Sequence, residues 1–226
     1  MYSPKVTLIE KLVLAAMFVI IGVGHLLFYT NTPAYTWYTV EDSLVEWLTV
    51  TGLLAGSFVC LRRAFRVGSS RGMMFLVTAA VLGLMLFVAA GEEISWGQRL
   101  LGIESPDYFK QNNTQQETNF HNLVLGGVRV NRWVFSFGLT AVLSAYLIIL
   151  PLLYRRKQWA QRFVRFWGVP LARPYQTVAA VLLFVTTQLL PHEKKAELLE
   201  CGIAFLLFLV IAFPVNREDF TRPKGK

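Results

Sequence analysis

The run GEEISWGQRLLG, at positions 91–102, brings together side chains that can do acid–base or ion-binding chemistry. Two adjacent carboxylates, Glu92 and Glu93, stand where a long apolar run ends, and Gln98 and Arg99 follow within two helical turns. Ionisable side chains at a membrane boundary are costly to place unless they have partners. The sequence therefore predicts a polar site here, with its partners supplied by other segments.

Those partners come from the predicted helix ends and the loop on the same side. All three histidines and 11 of the 14 acidic residues lie there. Glu193, Glu197 and Glu200 follow i, i+4 and i+7 spacing and share one helical face. The residues expected to join the site are His25, Glu41, Glu46, Glu117, Asn119, His121, Glu197 and Glu200.

Carboxylates and an imidazole at one depth can hold a divalent metal ion, and zinc, manganese or iron suits mixed Glu and His ligands. The candidate ligands are Glu46, Glu93, His121 and Glu197. A metal-bound water could attack an ester, amide or phosphate of a lipid or lipid-linked substrate. Glu92 and Arg99 are then the candidate catalytic residues, with Arg99 clamping a phosphate or an oxyanion.

The alternative is a structural network of ion pairs that closes the outer end of the helix bundle. The cations available for it are Arg99, Arg129, Arg132, Lys194 and Lys195. Intramembrane ionisable groups mark functional sites by default, but structural networks also satisfy them. The residue types leave both interpretations of Arg99 open, as counter-ion or as substrate clamp.

The elements that position these residues are apolar helices. The chain has 226 residues, of which 54% are hydrophobic, and its apolar runs are long enough to span a bilayer. We expect one all-α integral membrane domain, 1–226, with short loops that include one at 62–71. The predicted transmembrane helices are 8–29, 41–61, 72–92, 132–154, 175–190 and 196–213.

Two small-residue features point to helix packing rather than chemistry. Gly52 and Gly56 have the G-x-x-x-G spacing that lets helices approach closely. Cys60 and Cys201 fall near opposite ends of different helices, so disulfide geometry excludes a bond between them.

The outer loop, 103–131, is predicted to be partly helical. Ser105-Pro106-Asp107 is typical of a helix start, and Thr114-Gln115-Gln116-Glu117 matches a capping box. The second pattern predicts a helix over Gln115–Leu125 that places Glu117 and His121 on one face.

The segment 155–168 is predicted to be an amphipathic helix at the inner membrane surface. Trp159, Phe163 and Phe166 recur at helical spacing between arginines, a pattern typical of interfacial helices. A helix that docks a partner protein is the alternative.

The loop charges predict the orientation. Sixteen of the 22 basic residues, but only three of the 14 acidic ones, lie on the side that holds both termini. Cytoplasmic loops carry such an excess, so both termini are expected in the cytoplasm of a multi-pass protein of the bacterial inner membrane. The net charge of +8 therefore reflects topology and attraction to anionic lipid, and does not indicate nucleic-acid binding.

The segments EDSLVEW, GEEISWGQR and QQETNFHN together resemble a pattern of uncharacterised bacterial polytopic inner-membrane proteins. The resemblance covers about half of the chain. It implies a polytopic helical fold and no established activity. The shared positions are Glu41, Asp42, Glu46, Glu92, Glu93, Gln98, Arg99, Asn119, His121 and Asn122.

Three functions are compared on this basis. The first is an outward-facing metalloenzyme acting on a lipid or lipid-linked substrate. The second is a non-catalytic membrane subunit or assembly factor that docks a protein through Trp159–Trp167 or the outer loop. A transporter is disfavoured, because the inner halves of the helices carry almost no polar groups.

Overall fold

A computed structural model describes residues 5–129 and 138–221, without side-chain placement at positions 68, 69 and 129. The structure is 76% helical and all-α in class. Within the described ranges its β-structure includes a two-stranded antiparallel ribbon, β1 (Val124–Leu125) and β2 (Val128–Arg129). The fold class predicted from the apolar runs is confirmed at this level.

The helices follow the predicted apolar runs. They are α1 (Leu8–Thr30), α2 (Thr32–Tyr38), α3 (Leu44–Arg71), α4 (Met73–Glu93), α5 (Gln98–Leu101), α6 (Asp107–Asn112), α7 (Leu139–Ser144), α8 (Leu150–Arg156), α9 (Gln158–Trp167), α10 (Pro174–Gln188) and α11 (Lys195–Ala212). A π-helical segment, Ala145–Ile149, joins α7 and α8 into one rod. Short 3-10 turns lie at Ser95–Gly97 and Arg217–Phe220.

Four helices in the described part of the chain are long and apolar enough to cross a membrane. They cover Leu8–Thr30, Leu44–Val67, Met73–Glu93 and Leu139–Arg156. The predicted start of the fourth span, at 132, lies outside the described residues. Helices α10 and α11 occupy the positions of the fifth and sixth predicted spans, but α10 has only 15 residues and α11 begins with charged turns.

Helix α11 is central to the bundle and packs against α1, α3 and α10. Leu198, Leu206 and Leu209 on it are fully buried. A Cβ added to Gly52 would stand 3.1 Å from the backbone of Ala204, so α3 and α11 touch almost backbone to backbone. The close-packing role predicted for Gly52 is confirmed, and both cysteines are free and buried.

At the opposite end from the acidic residues, a buried ion pair joins the start of α1 to the start of α10. Arg173 binds the carboxylate of Glu10, which also accepts a hydrogen bond from the Tyr175 hydroxyl. Glu10 and Arg173 are both almost fully buried. A buried charge that lost its partner would be strongly destabilising, so this pair fixes how the two helices meet.

The prediction of a loop at 62–71 is wrong, because α3 continues through these residues to Arg71. Its inward residues Ala64 and Val67 are buried against Phe75 and Ala79 of α4. That apolar contact, together with the lack of proline, lets the arginines extend outward from a continuous helix. The chain turns only at Gly72, whose φ of 102° suits glycine.

The helix expected over Gln115–Leu125 is also wrong. The segment forms turns and then the β1–β2 ribbon, with Gln116 at a left-handed φ of 60°. The Oδ1 atom of Asn113 accepts the Gln115 N–H at 2.8 Å, a local bond that replaces helical pairing. Glu117 and His121 therefore share no helical face.

Candidate functional site

Arg99 is the centre of the polar cluster at the acidic end. Its Nη1 lies 2.7 Å from Glu117 Oε2, its Nη2 lies 2.7 Å from Glu46 Oε1, and its Nε lies 3.0 Å from Asp42 Oδ2. Glu41 adds a longer contact of 3.8 Å. Nη1 and Nη2 donate hydrogen bonds to Glu117 and Glu46, whereas Nε pairs with Asp42 by charge without a hydrogen bond, and the side chain is only 19% exposed.

A strained turn after α4 places Arg99 in that position. Ser95, Trp96 and Gly97 all have left-handed φ values, of 47°, 56° and 75°. Such values are uncommon for residues other than glycine and persist only where surrounding contacts hold them. The Trp96 ring supplies one contact, because it lies so close to Gly91 that a Cβ there would stand 2.8 Å from it.

Ser95 and Asn119 hold the other side of the turn. The Ser95 hydroxyl donates to the Glu117 carboxylate and accepts a hydrogen bond of 2.8 Å from Asn119 Nδ2. All three side chains are buried. The turn and the outer loop are thus joined by side-chain hydrogen bonds that lie out of contact with solvent.

Glu92 binds the backbone of the outer loop. Its Oε2 accepts the N–H groups of Phe120 at 2.6 Å and His121 at 3.2 Å. Its Oε1 accepts the indole N–H of Trp96 at 2.8 Å. Three donors thus converge on a buried carboxylate, so Glu92 anchors the loop. This structural role accounts for the buried position of Glu92 without assigning it a catalytic role.

The amide side chains fold the outer loop onto α5. Gln98 accepts the Thr118 N–H at 2.8 Å and donates to the Ser105 hydroxyl at 3.1 Å. Asn119 accepts the Asn122 N–H at 3.0 Å. The polar side chains of 111–119 therefore form hydrogen bonds mainly within the loop.

The four predicted metal ligands do not meet in one group. Glu46 pairs with Arg99, and the backbone N–H of His121 binds Glu92. Across residues 5–129 and 138–221, no three His, Cys, Asp or Glu side chains are placed so that they could hold a metal ion. Of the predicted counter-ions, Arg132 and the side chain of Arg129 lie outside the described part.

Glu93, Glu197 and Glu200 form a second acidic group, deeper in the bundle. Their carboxyl groups act electrostatically on one another and on Glu46. Within the described ranges, Lys194 forms an ion pair with this group, its Nζ lying 3.8 Å from Glu197 Oε1. One lysine thus faces three acidic side chains.

Two further polar side chains from α1 and α2 lie among the buried residues near the start of α11. The Tyr35 hydroxyl has no hydrogen-bond partner among the described residues, and Tyr35 is fully buried. Burial, aided by the charge of Glu197, raises the pKa of Tyr35 to about 12. The Nε2 atom of His25 is likewise buried without a hydrogen bond in this part of the chain.

The electrostatics of the outer loop agree with a neutralised network. Burial alone would lower the pKa of Arg99, but its hydrogen bonds to Glu117 and Asp42 and the charge of Glu46 raise it above its ordinary value. Burial lowers the pKa of His121, and the nearby Glu92 carboxylate only partly opposes this. Arg99 is therefore firmly charged, and His121 favours its neutral form.

The sequence pattern did not identify several members of the cluster. Ser95 and Asn113 are buried and hydrogen-bonded within it, and Gln115 donates to Glu41. Asp42 pairs with Arg99, whereas the sequence marked it only as a position shared with the resembled pattern. A small polar residue next to a buried carboxylate was the available signal for Ser95, but the left-handed turn that aims it inward has no sequence signature here.

Comparisons with family models, curated proteins and solved structures found no match to this chain.

Proposed function

We propose that the chain is a six-helix protein of the bacterial inner membrane, with both termini in the cytoplasm and the Arg99 cluster facing outward. Four membrane-length helices support the membrane assignment, and α10 and α11 would supply the other two crossings. The charge asymmetry supports the orientation, because basic residues concentrate in cytoplasmic segments.

In this proposal the Arg99 cluster is a structural closure, and the protein is a non-catalytic membrane subunit or assembly factor. The observation that carries it is that carboxylates hold both terminal nitrogens of Arg99 by hydrogen bonds, while Nε lies 3.0 Å from Asp42 as an ion pair. An arginine that clamps a phosphate needs free N–H groups in a planar fork. Arg99 instead ties the start of α3 to the outer loop, and Glu92 fixes the same loop from α4.

The proposed partner is another membrane protein bound at the outer loop. Large apolar side chains are exposed there although the backbone beneath them is firmly hydrogen-bonded: Leu100, Leu101, Ile103, Tyr108 and Phe120. Contiguous exposed apolar side chains next to a polar cluster are typical of interaction surfaces. The aromatic face of α9 remains the second docking surface, and membrane lipid is the expected environment of both.

The structural role is tested by replacing Arg99 with glutamine. The carboxylates of Glu46 and Glu117 would lose their counter-ion, and we expect a loss of about 3 kcal/mol, the lower end for a broken buried pair, because Asp42 is 43% exposed. Thermal unfolding in detergent measures it. Lys110→Gln, which removes an exposed pair with Glu104, is the control and should change little. Unfolding temperatures that fall equally in both variants would contradict the closure.

The subunit role is tested by cross-linking and co-purification in mild detergent. Tyr108→Glu and Phe120→Glu place charge on the exposed apolar surface without touching the Arg99 contacts, so they should release the partner and leave the fold intact. Recovery of the wild-type chain alone, under cross-linking and without any associated protein, would refute the proposal.

The second candidate is a metal-dependent hydrolase or transferase acting on a lipid or lipid-linked substrate. The acidic group of Glu93, Glu197 and Glu200 favours it, because carboxylates gathered from two helices are suitable ligands for a divalent zinc, manganese or iron ion, and binding would release any protons that they hold. Placing a metal there would require the carboxylates to move together, since their present arrangement forms no metal cage.

Elemental analysis and titration with zinc, manganese and iron(II) separate the two candidates. A metalloenzyme would carry about one ion per chain, and Glu200→Gln would abolish binding while the exposed control Glu104→Gln would not. Metal-free protein whose unfolding temperature is unmoved by any of the three ions would exclude this candidate and leave the structural role.

A further inference from the structure

A cleft with a basic lining lies at the opposite end of the bundle, between the end of α3 and the C-terminal 3-10 turn. It has a volume of about 760 Å³. Val59, Val67 and Phe220 give it an apolar floor. Four arginines also line it: Arg62, Arg63, Arg66 and Arg217. The polar cluster at the other end uses none of these residues.

Arg63 builds one wall of the cleft. Its guanidinium donates to the Ile211 and Ala212 carbonyls that end α11, the latter at 3.1 Å, and lies 4.5 Å above the Phe220 ring. These contacts satisfy helix-terminal carbonyls that α11 itself leaves unpaired. Arg63 is therefore fixed in place, and its positive charge remains beside the cleft.

Three of the cleft arginines have no carboxylate partner in the part of the chain that the structure describes. In the described ranges no carboxylate lies within 4.0 Å of a side-chain nitrogen of Arg62, Arg63 or Arg217. The nearest acids in sequence are Glu218 and Asp219, and the Asp219 carboxylate accepts a hydrogen bond from Asn216. Arginines held close together without acidic partners attract an anion.

The cleft stands at the membrane boundary. The membrane-length part of α3 ends at Val67, so Arg62 and Arg66 belong to its last turns. Phe220 on the cleft floor stacks against Phe75 at 5.5 Å, and Phe75 abuts Gly168 at the end of α9. The cleft thus adjoins α9, whose Trp159, Phe163 and Phe166 are exposed.

These features select the chemistry of the ligand. Arginine binds phosphate through paired N–H donors, and basic pockets between transmembrane helices hold anionic lipid head groups. The apolar floor, and the exposed Phe58 and Phe65 on α3, suit acyl chains better than water. We propose that this cleft binds the phosphate of an anionic phospholipid, with Arg62, Arg66 and Arg217 as the head-group ligands.

Native mass spectrometry of the delipidated protein tests the proposal, with phosphatidylglycerol as the probe and phosphatidylcholine as the uncharged reference. Removing three arginines from a phosphate site should weaken phosphatidylglycerol binding at least about tenfold in Arg62→Gln/Arg66→Gln/Arg217→Gln. The matched control, Arg155→Gln/Arg156→Gln/Arg162→Gln, removes the same charge from exposed positions outside the cleft, and its binding should change less than about threefold.

Three outcomes would overturn the proposal. Equal losses in the two triple variants would mean general surface attraction, and unchanged binding in the cleft variant would mean that the cleft is not the site. Displacement of phosphatidylglycerol by millimolar inorganic phosphate would assign the cleft to a free anion instead of a lipid. Should the triple variant unfold, Arg217→Gln alone, at an exposed position, gives the same comparison against Arg162→Gln.

Discussion

At the scale of single residues, Glu92 and Arg99 hold the outer loop on the acidic end of the bundle through different contacts. Arg99 collects carboxylates from the start of α3 and from the outer loop, whereas Glu92 collects backbone N–H groups from that loop. Arg99 thus binds carboxylates, and Glu92 binds backbone amides. The pair therefore fixes the loop through both its charges and its backbone.

Glu92→Gln tests the amide half of this arrangement. The neutral amide keeps the shape of the carboxylate but accepts the Phe120 and His121 N–H groups less strongly, because charge-assisted hydrogen bonds are the stronger kind. We expect faster hydrogen exchange at Phe120 and His121 and a loss of about 1–3 kcal/mol in unfolding free energy. Glu104→Gln, on the exposed loop surface, is the control. Unchanged exchange at these two amides would mean that Glu92 does not hold the loop.

His121 gives the outer loop a predictable pH dependence. Burial lowers its pKa below the ordinary 6.5, so the unfolded chain takes up a proton first as the pH falls. The contribution of His121 to stability is therefore complete above about pH 6.5 and is lost as the pH falls through the lower folded-state pKa.

The melting temperature should consequently fall more between about pH 7.5 and about pH 5 in the wild type than in His121→Gln, since only the wild type has the depressed imidazole pKa. Carboxylates that titrate in the same pH range contribute to both curves and cancel in the difference. Parallel curves would show that His121 carries no such penalty.

At the scale of elements, α3 and α11 approach each other closely at Gly52, where the neighbouring atoms include backbone. Gly52→Val would push a side chain against the Ala204 backbone and separate the helices, at a cost of about 1–3 kcal/mol for overpacking. Gly22→Val is the matched control, because a Cβ there meets nothing within 4 Å. Differential scanning fluorimetry should separate the two variants clearly, and equal melting temperatures would contradict the close approach.

The elements also show where sequence reasoning succeeds and fails. Long apolar runs gave the positions of the main helices, because helix formation in a bilayer is dictated by hydropathy and the need to satisfy backbone groups internally. The capping-box pattern at Thr114 wrongly predicted a helix, because the Asn113 side chain accepts the Gln115 N–H and holds the segment in a turn. The basic run 62–71 was wrongly predicted to be a loop, because the burial of Ala64 and Val67 makes it part of helix α3.

The membership of the candidate site was easier to predict than its roles. Counting acids along one side placed Glu46, Glu92, Arg99 and Glu117 together, and the structure brings them together. Their division into ion pairs and amide anchors depends on the left-handed turn at Ser95 and Trp96. That turn arises from long-range contacts, which local sequence does not encode.

At the scale of the whole molecule, the two ends are chemically opposite, and this difference predicts the topology. With both termini inside, Glu104→Cys on the outer loop should react with a membrane-impermeant maleimide in intact cells. Arg156→Cys, exposed at the end of α8, should react only after permeabilisation. The native Cys60 and Cys201 are buried and give a low background. The reverse labelling pattern would invert the proposed orientation.

The central place of α11 has a consequence for how the chain is made. This helix packs against α1, α3 and α10, yet ribosomes synthesise it after all three. In the proposed membrane topology, the surfaces of Gly24 and Gly52, which receive Leu198 and Ala204, would be exposed to lipid until then. In that topology the nascent chain would be inserted but incompletely packed until α11 is made, and a protein truncated before residue 195 would expose the same grooves and become a substrate for membrane proteases.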